Sequence, residues 1–209
     1  MIENLDATTL AIIFGSLVVA ITIHEAMHAF TSHWLGDDTA QKEGRITLNP
    51  IKHVDPFGTI LLPLITLIIF KVPLLAAKPV PFNPARVKYE EFGAAMIAAA
   101  GPLTNLFLAF ITAVFLKFFG SSIGDLGVEI FSIFIFINVA LFVFNSIPIP
   151  PLDGSRVLYA VAPEPLQKIM SQLELIGIFI IFALIVTVPG FGQFLFDLNT
   201  SVLNFLLTI

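Results

Sequence analysis

Long apolar runs recur along the chain, at about 7–30, 57–77, 92–119, 128–150 and 171–189, with a weaker one at about 191–209 that carries Asp197, Asn199 and Asn204. A bilayer core about 30 Å thick is crossed by roughly 20 apolar helical residues and offers no water to unpaired backbone groups. Runs of this length therefore commit most of the chain to membrane helices. The composition agrees, with 57% hydrophobic and only 12% charged residues, against about 25% charged in a soluble domain. The expected fold is an all-α polytopic membrane protein of about five or six transmembrane helices, the last run being a span or an interfacial helix. The 209 residues suit one membrane-embedded domain over 1–209, with a core at about 7–160 and C-terminal helices at about 164–209.

The connections carry further expectations. Residues 45–49, Arg45-Ile46-Thr47-Leu48-Asn49, alternate polar and apolar and read as a short membrane-associated strand. The run Ala77-Lys78-Pro79-Val80-Pro81-Phe82-Asn83-Pro84 cannot be helix, because its prolines remove donors and force extended backbone. Lys42, Arg45 and Lys52 fall in one connection, Lys78, Arg86 and Lys88 in the next, and Arg156 and Lys168 in a third. Basic loops stay cytoplasmic, so the amino terminus is expected outside. The run at 57–77 then starts and ends on one side, as a re-entrant or partly embedded segment would. The start of the chain lacks the basic region and cleavage site of a secretory signal, so the first run is expected to be retained. A net charge of -5 offers no basic surface to nucleic acid.

Ionisable groups inside a span are costly and point to function. The first run contains His24-Glu25-Ala26-Met27-His28. A spacing of four puts two imidazoles on one helix face, one turn apart, where both can reach a single ion. In H-E-x-x-H the histidines ligate zinc and the glutamate stays free to accept a proton from water on the metal. Pairing of these groups with one another or with backbone carbonyls is the alternative. The chain has no cysteine, so a third ligand must be His, Asp or Glu.

Candidates for that ligand are several. The pattern with a third histidine six residues after the second finds Trp34 at that position, His33 being one short. Asp37 and Asp38 read as loop charges, while His53 and Asp55 could orient a ligand or cap a segment. The strongest candidate is Asp153, in Asn145-Ser146-Ile147-Pro148-Ile149-Pro150-Pro151-Leu152-Asp153-Gly154. There prolines stop a helix and present a carboxylate from a rigid turn, although an aspartate in that position could simply cap the next helix.

Taken together, His24-Glu25-x-x-His28 in the first span and Asn145-x-x-Pro148-x-x-Pro151-Leu152-Asp153-Gly154 in a later one resemble the site-2 protease family of intramembrane zinc metalloproteases. Lys78-Pro79-Val80-Pro81-Phe82-Asn83-Pro84 and Gly101-Pro102-Leu103-Thr104-Asn105 are similar to motifs of its shorter prokaryotic members, so the likeness spans roughly residues 15–160. The resemblance implies one Zn2+ held by His24, His28 and Asp153, with Glu25 as catalytic base. No stretch is available for the PDZ domain that many relatives carry.

The expected activity is hydrolysis of peptide bonds in or near transmembrane segments of membrane-protein substrates, from a site near the cytoplasmic face of the cell membrane. Asn145 and Asn105 are candidate substrate contacts, Asn145 for the substrate backbone or a developing oxyanion. The two extended pieces could add an unwound substrate as a strand. Three rivals stand beside this reading. They are a cation transporter, a zinc protease whose third ligand is Glu90 or Glu91, and a catalytically silent scaffold.

Overall fold

The computed structural model describes residues 6–53, 80–174 and 176–208. The first span is α1, Ala7–Trp34. Its start is fixed by Asp6, whose carboxylate accepts from the Thr9 amide at 2.7 Å. Its end is a Schellman turn, in which Gly36 has φ +100° and the Gly36 and Asp37 amides donate back to His33 and Ser32. A short helix α2, Thr39–Lys42, follows.

Beyond residue 79 come α3 (Glu90–Phe119), α4 (Gly124–Asn145), α5 (Asp153–Val161), α6 (Glu164–Leu173), α7 (Gly177–Thr187) and α8 (Phe191–Thr208). Among the described residues three helical stretches are long and apolar enough to cross a membrane: Ala7–Trp34, Glu90–Ser122 and Gly124–Asn145. A fourth results if α6 and α7, bent by 81° at their junction, count as one span. Five or six was the expectation. The run at 57–77 and its re-entrant reading lie outside the described residues, and α8 is diluted by polar groups.

The strand expected at 45–49 is not formed, and the described part of the extended piece, residues 80–84, pairs with no partner strand either: the described residues contain no strand. Local polar side chains explain the first case. Thr47 Oγ1 accepts from the Asn49 amide and Asn49 Oδ1 from the Ile51 amide, so side chains take the donors a ladder would use. In the second, Asn83 caps the short 3-10 turn Pro84–Arg86, and its amide is held by the buried Asp37 at 2.6 Å. Pro81 and Pro84 leave that segment too few donors to pair.

Cross-helix contacts give the direction of each span. Residue 28 of α1 meets 97 of α3, and residue 24 meets 105, so α1 and α3 are antiparallel. Thr9 of α1 donates to Glu129 near the start of α4 at 2.8 Å, and α4 runs parallel to α1. The ends of α1 and α4 and the start of α3 therefore share one end of the bundle, where Lys88 N also donates to Leu35 O at 2.9 Å. Ala109 and Ala113 of α3, Ile135, Val139 and Val143 of α4, and Leu206 of α8 form a buried apolar core. Phe14, Trp34, Phe107 and Phe118 face outward, as lipid-facing positions do.

Candidate metal centre

Each of the two histidines is turned by a bond whose direction is not in doubt. The backbone carbonyl of Ile97 can only accept, so His28 Nδ1, 2.7 Å from it, carries the proton. His24 Nδ1 lies 2.6 Å from Asn105 Oδ1. That amide is itself oriented, since its Nδ2 faces the Ala20 carbonyl at 3.4 Å and Asn138 Oδ1 at 2.9 Å. Both rings are therefore protonated on Nδ1, and both Nε2 lone pairs point the same way, 3.0 Å apart.

The third group arrives from α5. Pro148, Pro150 and Pro151 prevent α4 from continuing, and the chain folds back so that Gly154 lies against the backbone of Ser146 and Ile147, where a Cβ would collide. Asp153 occupies the first turn of α5, and Leu152, at the cap position, makes no side-chain cap bond. The Asp153 carboxylate does not cap the helix. Its Oδ2 sits 3.1 Å from His24 Nε2 and 3.3 Å from His28 Nε2.

Three acceptor atoms thus meet with edges of 3.0, 3.1 and 3.3 Å. Tetrahedral zinc with bonds of about 2.0–2.1 Å separates its ligand atoms by roughly 3.3 Å, so this group fits the ion. The lone pairs repel unless a cation or proton lies between them. Among the described residues this is the group able to hold a metal. Gly101 completes the cradle, because a Cβ there would lie 2.5 Å from His28 Nε2 and 2.6 Å from His24 Nε2. The histidines are buried, whereas the Asp153 side chain keeps 22% of its surface exposed and gives the site its open edge.

The other sequence candidates lie elsewhere. His33 pairs with Asp38 at 2.9 Å, and His53 Nε2 donates to the Thr47 carbonyl at 2.9 Å. Glu90 and Glu91 are exposed at the start of α3, and Asp55 lies outside the described residues. Glu25 is buried beside His24 on α1. Asn145 is half-buried at the end of α4, with Nδ2 donating to Leu141 O at 3.0 Å. Asn105 is fully buried, and its amide is engaged with His24, Asn138 and Ala20. Asn138 was missed in the sequence; an asparagine within the apolar stretch Phe134–Phe144 was the available signal.

Helices long and apolar enough to span a membrane thus enclose a His-His-Asp group able to hold a metal ion, the mark of a membrane protein with a candidate metal site. Comparison with known proteins narrows the class. Residues 121–188 match peptidase family M50. The chain is 40% identical over 186 residues to "Putative zinc metalloprotease YwhC" of Bacillus subtilis, covering 84% of this chain and 80% of that protein. It is 26% identical over 200 residues to "Putative zinc metalloprotease Rip2" of Mycolicibacterium smegmatis, covering 90% and 71%. With the protein of the same name from Mycobacterium tuberculosis it shares 25% over 200 residues, covering 92% and 76%. No solved structure is significantly similar to it. The chain belongs to peptidase family M50, the site-2 protease family; it is a metalloendopeptidase with zinc as its cofactor.

Proposed function

We propose that this protein cuts peptide bonds in or near transmembrane segments of membrane-protein substrates, with His24, His28 and Asp153 as zinc ligands and Glu25 as the base. The observation that carries the reading is the convergence of two imidazole Nε2 atoms and one carboxylate oxygen within 3.0–3.3 Å of one another, beside apolar helices. Bound there, zinc supplies Lewis-acid polarisation of the scissile carbonyl and a water acidic near neutral pH. Glu25 accepts a proton from the attacking water and passes it to the leaving amine. Asn145 uses its second amide proton on the substrate backbone or the developing oxyanion. Asn105 positions His24 rather than touching substrate, since its amide is already occupied by protein groups.

The site lies 17 residues beyond the start of α1, about 26 Å along the helix, near one end of the span. Lys42, Arg45, Lys52, Arg86, Lys88, Arg156 and Lys168 belong to segments at that end, against Lys117 at the other among the described residues. That distribution supports a cytoplasmic opening in the cell membrane. The core at 7–160 and the helices at 164–209 act as one domain in this reading, as the packing of α8 on α4 and α3 suggests.

The test is cleavage of a single-span helical substrate by reconstituted protein. Chelator should abolish cleavage, zinc should restore it, and Glu25→Gln should be inactive. Cleavage by Glu25→Gln at the wild-type rate would overturn the reading.

A further inference from the structure

Asn105 can serve His24 in only one of its two amide orientations. With Oδ1 toward the ring, as found, Nδ1 donates and Nε2 keeps its lone pair for a metal. Rotated by half a turn, the amide would offer NH2 to Nδ1, the ring proton would move to Nε2, and that proton would occupy the ligand position. Something must therefore choose the orientation. The Ala20 carbonyl favours the correct one, but at 3.4 Å the bond is long. The stronger contact is Asn138 Oδ1, 2.9 Å from Asn105 Nδ2.

Asn138 is fixed in turn. Its own Nδ2 donates at 2.9 Å to the Phe134 carbonyl of α4, a group that can only accept, so its oxygen must face Asn105. Both asparagines are completely buried, with Ile135 and Val139 beside Asn138 nearly or fully buried as well. Water has no access to stand in for a missing partner. A backbone carbonyl on α4 thus sets the direction of a side-chain chain that crosses α3 and ends at the ring on α1.

We propose that Asn138, which touches neither metal nor substrate, is a positioning residue for zinc: it locks the rotation of Asn105 and so selects the metal-binding tautomer of His24. This rests on His24 being a zinc ligand.

Purified full-length protein in detergent micelles, stripped and titrated with zinc against a competing chelator, tests it. Asn138→Leu should weaken zinc about 10- to 100-fold, the range for loss of a partner behind a ligand. Asn138→Ala removes the same acceptor at smaller volume should leucine prevent folding. Asn138→Asp retains an acceptor and should bind zinc within about threefold of wild type. The decisive comparison uses Asn105→Asp, because a carboxylate accepts from His24 in either rotation and needs no lock. In that background Asn138→Leu should cost less than about threefold.

Wild-type zinc affinity in both Asn138→Leu and Asn138→Ala would overturn the proposal. An equal loss with Asn105 and with Asp at 105 would also overturn it, showing that Asn138 acts through packing alone. Asp153→Ala separates the two readings. If that variant loses zinc while the Asn138 variants do not, the ligand set stands and the lock fails; if it keeps zinc, both fail.

Discussion

At the residue scale the site is a set of hydrogen-bond directions as much as a set of distances. Ile97 O and the Asn105 amide leave two Nε2 lone pairs facing Asp153, and removing one partner should undo the whole. Asp153→Ala should lose zinc, measured as metal content after purification, together with cleavage. Glu25→Gln should retain stoichiometric zinc while cleavage falls by about 10²–10⁴-fold, the usual worth of a general base. The H-E-x-x-H spacing alone put His24 and His28 on one helix face, whereas Asp153, which in its proline-bounded turn could equally cap the next helix, was joined to them only through the family resemblance. Asn138 was not legible. Its role depends on which residue of α3 it meets, and no local pattern encodes that meeting.

At the element scale, small residues and one buried carboxylate hold the pieces in register. Gly101→Ala should abolish tight zinc binding with little loss of helical content by circular dichroism, because the added methyl falls where the imidazoles meet. Asp37 ties the end of α1 to residue 83, accepting from Asn83 N and Thr39 Oγ1 at 2.6 Å each, from Thr39 N at 3.1 Å and from Ser32 Oγ at 3.3 Å. Burial favours its neutral form, but the bonds from Thr39, Asn83 and Ser32 outweigh this and hold its carboxyl below the usual range. Its contribution is therefore full above the unfolded carboxylate value of about 3.9 and is lost as pH falls through the lower folded value. Asp37→Asn should destabilise the protein by about 2 kcal/mol at pH 7 and flatten the acid limb of its stability curve, followed by thermal unfolding in micelles. The helices at 7–30, 92–119 and 128–150 were readable because apolar length alone demands them, with boundaries shifted by caps and prolines. The strand expected at 45–49, and any strand pairing of the extended piece at 80–84, failed because Thr47, Asn49 and Asn83 spend their hydrogen bonds locally, which alternation of polarity does not reveal.

For the whole molecule, the proposed ligands come from α1 and α5, so that metal binding would clamp distant parts of the chain together. Zinc at 1,000 times its dissociation constant should add about 4 kcal/mol, seen as a rise in unfolding temperature with zinc concentration that is absent in Asp153→Ala. Reporter fusions near Pro81 and near Asp125 should report opposite faces of the membrane, since the start of α3 and the start of α4 lie at opposite ends of the bundle. The order in which the ligands occur also bears on biosynthesis. A nascent chain leaving the ribosome carries both imidazoles long before it carries the carboxylate. On the ligand set proposed above, a half-made chain lacks its last donor and cannot assemble the metal site until residue 153 has been added.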